Sequence, residues 1–230
     1  MGLSEKVGEV LGARIEARLE EDVRKQTLPQ HIAFIMDGNR RFAWSRAMNT
    51  QTGHRKGKQV LKNVMDWVLE LGIEYMTVYA LSTENLSSRT KKELKGLYDL
   101  YVEGLNEIAE DSKIHENGVK VQIIGHRELL PKRVIDAIEN AEKVTEDYDD
   151  FTFTVCLAYG GREEIVRAIR QLAKDHADGN LALEDIDETA VSKRLWTSHM
   201  PDPDLVIRTS GEERISNFLL WQSAYSELYF

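Results

Sequence analysis

His31-Ile-Ala-Phe-Ile-Met-Asp-Gly-Asn-Arg-Arg-Phe42 reads as a strand running into a polar loop. Residues 31–36 form a short apolar run between Pro29 and Gly38, with the length and composition of a buried strand. One carboxylate, Asp37, stands at the carboxyl end of that strand, and Gly38, Asn39, Arg40 and Arg41 follow it. Ligands of open α/β sheets gather outside the carboxyl ends of strands. A carboxylate beside backbone amides and two guanidinium groups is poorly suited to burial. It is well suited to a metal-bound, multiply anionic group such as a diphosphate.

Outward from this stretch the chain alternates strands with helices. Apolar runs at 75–81, 119–124, 151–158 and 205–207 predict four more strands, and 227–230 reads as an edge strand. Helical spacing predicts helices over 3–26, 53–71, 90–110, 131–146, 162–175 and 184–198, with a short apolar one over 217–224. Residues 44–52 show no period and read as a mobile segment. The pattern predicts a single α/β domain, a mostly parallel central sheet flanked by helices, over 29–230, with an N-terminal helix in 1–28. Polar clusters follow the strands that end near 36, 81, 158 and 207, and in a parallel sheet these converge on one edge. Basic residues in 53–58 open a helix, where they oppose its dipole. They suit a bound anion there, although a solvated basic face fits them as well.

The bulk properties exclude several classes. With 42% hydrophobic and 30% charged residues, the composition is that of a globular protein. Its apolar runs are too short to span a bilayer, and no signal peptide is visible. A net charge of −9 argues against a nucleic-acid partner. The single Cys156 excludes an intramolecular disulfide, fits a reducing cytoplasmic compartment, and reads as core. The chain carries no P-loop, dinucleotide-binding fingerprint, zinc spacing or nucleophile elbow. What remains is a set of arginines, one well-placed aspartate, and amide and hydroxyl groups. Arginine favours bidentate phosphate contacts. An aspartate beside phosphates points to magnesium.

The stretch 31–42 with Gly53-His54, then Leu81-Ser-Thr-Glu-Asn85 and Ala158-Tyr-Gly-Gly-Arg162, resembles the cis-prenyltransferases, of which undecaprenyl diphosphate synthase is the type member. So do Asp204-Leu-Val-Ile-Arg-Thr-Ser-Gly-Glu212, Arg214 to Gln222, and Ala224 to Phe230. The resemblance covers roughly residues 29 to 230. It implies condensation of isopentenyl diphosphate onto an allylic diphosphate, farnesyl or geranylgeranyl, to give a cis-polyprenyl diphosphate. It further implies Mg2+, a homodimer, and transient contact of a peripheral enzyme with a membrane surface for product release.

Carried over by motif, Asp37 holds the metal and assists departure of the allylic diphosphate, which Gly38, Asn39, Arg40, Arg41 and Phe42 cradle with His54 nearby. Ser82 and Asn85, in the segment that includes Thr83 and Glu84, assist proton removal. Arg89, Arg208, Arg214, Ile215 and Ser216 bind isopentenyl diphosphate. Glu227 is a second metal ligand reached from a neighbouring subunit. Helix 90–110 and the second to fourth strands line a hydrophobic tunnel, although simple core explains that stripe equally. Arg40 stands where bacterial members carry glycine. Thr50, Leu86, Ser210 and Glu213 also depart from the pattern, which bears on substrate choice and product length. A non-catalytic subunit of the same fold would lack the aspartate and its loop, and both are kept here.

Overall fold

The computed structural model describes residues 18–19 and 21–230. Among the described residues six strands form one sheet, β1 (His31–Ile35), β2 (Tyr75–Ser82), β3 (Val119–Ile124), β4 (Phe151–Tyr159), β5 (Leu205–Arg208) and β6 (Glu227–Tyr229), in the order β3-β4-β2-β1-β5-β6. Every pairing is parallel. Strands buried on both faces read as continuous apolar runs, and all five residues of β1 are buried. Alternate residues feed two cores. Ile32 and Phe34 join a large cluster with Val78, Leu97, Leu105 and Phe153. Ala33 and Ile35 join a smaller one with Tyr79, Tyr159 and Phe218 on the other face. Cys156 is fully buried in that second core, as its apolar surroundings predict.

The helices are α1 (Asn39–Ser45), α2 (Thr50–Glu70), α3 (Thr83–Ser88), α4 (Lys91–Glu110), α5 (Ser112–Glu116), α6 (Lys132–Val144), α7 (Gly161–Ala177) and α8 (Glu188–Ser192). Short 3-10 turns lie at Arg127–Leu129, Leu183–Asp185 and Gln222–Tyr225. Thr90 and Glu93 start α4 with a capping box. Of the N-terminal helix expected over 3–26, residues 18–19 and 21–24 are helical, and the remainder up to residue 20 lies outside the described residues.

Three expectations are corrected. The segment 44–52 is not structureless: its start belongs to α1, and Asn49 caps α2, accepting Thr52 N–H at 2.8 Å. The second helix therefore starts at Thr50, and the basic residues of 53–58 lie beyond its first turn, which removes the dipole argument made for them. The helix expected over 184–198 is a 3-10 turn, the short α8 and further turns. The apolar run 217–224 is no α-helix, because Ser216, Asn217 and Leu219 all adopt positive φ.

Parallel pairing brings the carboxyl ends of β1, β2, β4 and β5 to one edge. From β1 the chain continues toward β2, and from β5 toward β6, in opposite directions along the sheet. The crevice between their ends is the switch point where such sheets bind ligands. Asp37 and Arg208 flank it.

Candidate active site

Asp37 leaves β1 and meets Arg208 at the end of β5: Arg208 Nη2 donates to Asp37 Oδ2 at 2.7 Å. Gly38 N–H donates to Oδ1 at 2.6 Å, and Arg41 Nη2 lies 3.5 Å from Oδ2. Burial opposes ionisation of this carboxyl. The Arg208 hydrogen bond, the Gly38 amide and the two guanidinium charges outweigh it and hold the group below the usual carboxylate range. The carboxylate is ionised and only partly saturated by these donors. Magnesium is commonly held by one or two carboxylates together with substrate phosphates, so an ionised Asp37 fits that ion. Among the described residues no group of three or more Asp, Glu, His or Cys side chains is placed to hold a metal ion, so the remaining ligands would come from substrate or from a second copy of the chain.

Arg208 is buried and also donates to the Arg214 carbonyl and, at 2.6 Å, to Ser216 Oγ. It clips the loop 209–216 onto Asp37. Ile215 is half-buried in that loop. Gly38 adopts φ 89°, and a Cβ there would lie 2.6 Å from Ser210 Cβ, so the turn needs glycine. Asn39 is seated by two glycines of α2 one turn apart. A Cβ on Gly53 would meet the Asn39 carbonyl at 2.3 Å, and one on Gly57 the Asn39 amide at 2.5 Å.

His54 follows on α2. Burial, then the charges of Arg89 and Arg40, depress its imidazole to about 4, so it is neutral at physiological pH. Ser82 caps α3 and accepts Asn85 Nδ2 at 2.9 Å, while Asn85 Oδ1 accepts Arg89 Nε at 3.1 Å. Ser82, Asn85 and Arg89 are thus one chain of hydrogen bonds. Three buried nitrogens here, His54 Nε2, Arg89 Nη1 and Arg208 Nε, have no hydrogen-bond partner. An orphaned buried donor costs roughly 1–3 kcal/mol, and an anionic ligand would offset that cost.

A cavity of about 790 Å³ opens at this point. Its mouth is lined by Asp37 to Arg41, His54, Arg89 and Arg214, and its interior by Leu61, Met65, Leu97, Leu105, Phe153 and Val155. Val78 with Ala80, and Phe153, Val155 and Leu157, show the period of one sheet face. Along α2 the lining runs from His54 to Leu69, about 22 Å at 1.5 Å per residue. The apolar stripe of α4 therefore borders a cavity and does not only pack against neighbouring elements.

Not every candidate joins this mouth. Phe42 is exposed under the Arg46 guanidinium. Thr83 and Glu84 belong to an adjacent network: Thr83 Oγ1 donates to Glu163 at 3.1 Å, and Asn217 Nδ2 bridges Glu84 and Glu163 at 2.9 and 3.1 Å. Glu227 pairs beside Leu205, itself opposite Ile32. That leaves it roughly 16 Å below Asp37 along the strand direction at 3.3 Å per residue. Within one chain these two carboxylates do not meet. Sequence reasoning missed Glu212, Asn217 and the seating role of Gly57. An acid between Arg208 and Arg214, and the four-residue glycine spacing on a helix, were the available signals.

A family model, Prenyltransf, described as undecaprenyl diphosphate synthase, matches residues 35–230. The chain is 50% identical over 215 residues to a protein of Pyrococcus abyssi, covering 94% of this chain and 81% of that one. It is 50% identical to one of Methanopyrus kandleri, covering 94% and 79%. Both are named tritrans,polycis-undecaprenyl-diphosphate synthase (geranylgeranyl-diphosphate specific). The fold is similar to a lavandulyl diphosphate synthase from Lavandula x intermedia solved with dimethylallyl diphosphate. There the TM-score is 0.84 and the identity 37%, covering 88% and 86% of the two chains. It is also similar to a probable undecaprenyl diphosphate synthase from Campylobacter jejuni, with TM-score 0.72 and identity 29%, covering 89% and 86%.

Proposed function

Because the chain belongs to the undecaprenyl diphosphate synthase family of cis-prenyltransferases, we propose that it uses geranylgeranyl diphosphate as its primer, with Asp37 as the magnesium ligand. It is a prenyl transferase that condenses isopentenyl diphosphate onto an allylic prenyl diphosphate. The primer follows the specificity in the names of the archaeal relatives; farnesyl diphosphate is the alternative. The observation that carries the site assignment is the junction of an arginine-rich mouth, where His54 and Arg89 each keep an orphaned buried nitrogen, and an apolar cavity. A prenyl diphosphate has the same two halves.

In this reading the allylic diphosphate lies against Gly38, Asn39, Arg40 and Arg41, beside neutral His54. Its C–O bond breaks as negative charge grows on the leaving group, and donors already fixed at that position lower the barrier. Magnesium held by Asp37 would neutralise further charge on the leaving diphosphate. Arg89, Arg208, Arg214 and Ser216 hold isopentenyl diphosphate so that its double bond faces the allylic carbon. The Ser82–Asn85 pair, oriented by Arg89, assists loss of the proton from the new unit. The growing chain enters the cavity between α2, α4 and the sheet.

Residues 29–230 form the catalytic unit in this reading. Glu227 serves the metal from a second copy, because its own chain holds it far from Asp37. Exposed Leu228 and Tyr229 on the edge strand support a homodimer. No described helix is long and apolar enough to cross a membrane. Exposed Trp44 and Trp67 suit a transient interfacial contact for product release. The test is incubation with magnesium, radiolabelled isopentenyl diphosphate and either allylic primer, followed by lipid extraction and resolution by chain length. Extended product, more from the geranylgeranyl primer, is expected. No extension from any primer refutes the reading.

A further inference from the structure

Glu212 lies between the two diphosphate cradles. Its Oε1 accepts Arg41 Nη1 at 2.8 Å, and its Oε2 lies 2.5 Å from Arg214 Nη1. Arg41 belongs to the allylic cradle and Arg214 to the isopentenyl one, on the assignment above, upon which this inference rests. We propose that Glu212 is an internal counter-ion shared by the two cradles, displaced by substrate, so that binding of one diphosphate eases binding of the other.

The geometry gives the coupling its physical basis. One carboxylate holds two guanidinium groups at once, in the same cavity mouth as Asp37 and His54. A multiply charged diphosphate arriving at Arg41 competes for that guanidinium and repels the carboxylate. The carboxylate then loses one of its two anchors, and Arg214 is freed for the second diphosphate. Both arginine side chains are at least half exposed, and exposed ion pairs contribute little to stability. A bidentate arginine contact with a multiply charged phosphate is stronger, so substrate wins the exchange. The backbone permits the swing: Ser210 and Gly211 adopt consecutive left-handed conformations, φ 76° and 75°. Space beyond Gly211 is open. Before substrate arrives, Glu212 keeps both guanidinium groups oriented and the mouth less strongly charged. By linkage, the gain must be the same whichever substrate binds first.

The test uses the full chain in EDTA, so that no turnover or metal enters the readout. Calorimetry measures isopentenyl diphosphate binding with and without an unreactive thio-diphosphate analogue of the allylic primer. In the unaltered protein the analogue should tighten isopentenyl diphosphate binding about threefold or more. In Glu212→Gln, intrinsic affinity for each ligand should rise and the coupling should fall to about one. Arg41→Gln and Arg214→Gln should each weaken chiefly one ligand, which checks the cradle assignment itself. If those two variants behave so, yet Glu212→Gln weakens binding or keeps the coupling, the counter-ion role is overturned and the cradles stand. If Arg41→Gln and Arg214→Gln change neither ligand, both assignments fall. A Glu212→Asp variant, whose shorter side chain cannot bridge both arginines, should lose coupling while keeping the negative charge.

Discussion

Arg208 Nη2 and Asp37 Oδ2 lie 2.7 Å apart, although 171 residues of sequence separate them. This contact joins the ends of adjacent strands and fixes the loop that carries Arg214 and Ser216 against the loop that carries Arg40 and Arg41. Charge at Asp37 therefore fixes loop geometry, and in the proposed function it also serves the chemistry.

Replacing Asp37 by Ala should reduce turnover at least 100-fold, the scale of losing a pre-positioned electrostatic group. The fold should persist, because Arg208 keeps the Arg214 carbonyl and Ser216. The Tm should fall by a few degrees as a buried guanidinium loses its counter-charge. Labelled isopentenyl diphosphate incorporation and circular dichroism melting check this. Activity within tenfold of normal would remove Asp37 from the chemistry.

Gly57→Ala separates stability from function. Alanine gains roughly 1 kcal/mol of helix propensity over glycine. The new methyl would lie 2.5 Å from the Asn39 amide oxygen and push that side chain aside. The melting temperature should stay level or rise while kcat/KM falls about tenfold. Unchanged kinetics would show that the position of Asn39 is unimportant.

The imidazole of His54 is depressed to about 4, first by burial and then by Arg89 and Arg40. Its folded pKa lies below its unfolded value of 6.5. Between these two values the unfolded chain binds more protons, so stability contributed by neutral His54 is present above pH 6.5 and is lost as pH falls toward 4. The drop in Tm from pH 7 to pH 5 should be smaller in His54→Gln than in the unaltered protein. Equal drops would contradict the buried, neutral state.

Ile108 lines the cavity from α4. Ile108→Trp should fill part of that space and shift products to shorter chains, while the first condensation proceeds within about threefold of normal. Chromatography of the extracted lipid reads both quantities. An unchanged length distribution would place the growing chain elsewhere.

Much of the sheet was readable in advance, because strands buried on both faces leave uninterrupted apolar runs. Residues 31–36, 75–81 and 151–158 each delimit a strand to within a residue or so. The polar residues after those strands were readable too, since parallel pairing forces them to one edge. The short α1 was not. Ala43 is its sole buried residue, and what fixes the helix is contact with Gly53, far along the chain relative to any local period. The apolar run 217–224 suggests a helix. Instead Asn217 breaks it by accepting Arg162 N–H with its side chain and Gly161 N–H with its carbonyl. The cavity was half readable: Leu97, Leu105 and Phe153 pattern as core whether they face a neighbour or a void. Glu212 was hidden in plain view, because a charge in a loop gains meaning only when two arginines from separate segments converge on it.

The strand order has a consequence for biogenesis. β5 begins 170 residues after its neighbour β1 ends. Pairing so distant in sequence folds slowly and after most of the polypeptide is available. While β5 is still within the ribosome, Asp37 has no Arg208 and the loop from 209 to 216 has no anchor. A nascent chain that has not yet reached β5 thus cannot join the two loops that flank the switch point.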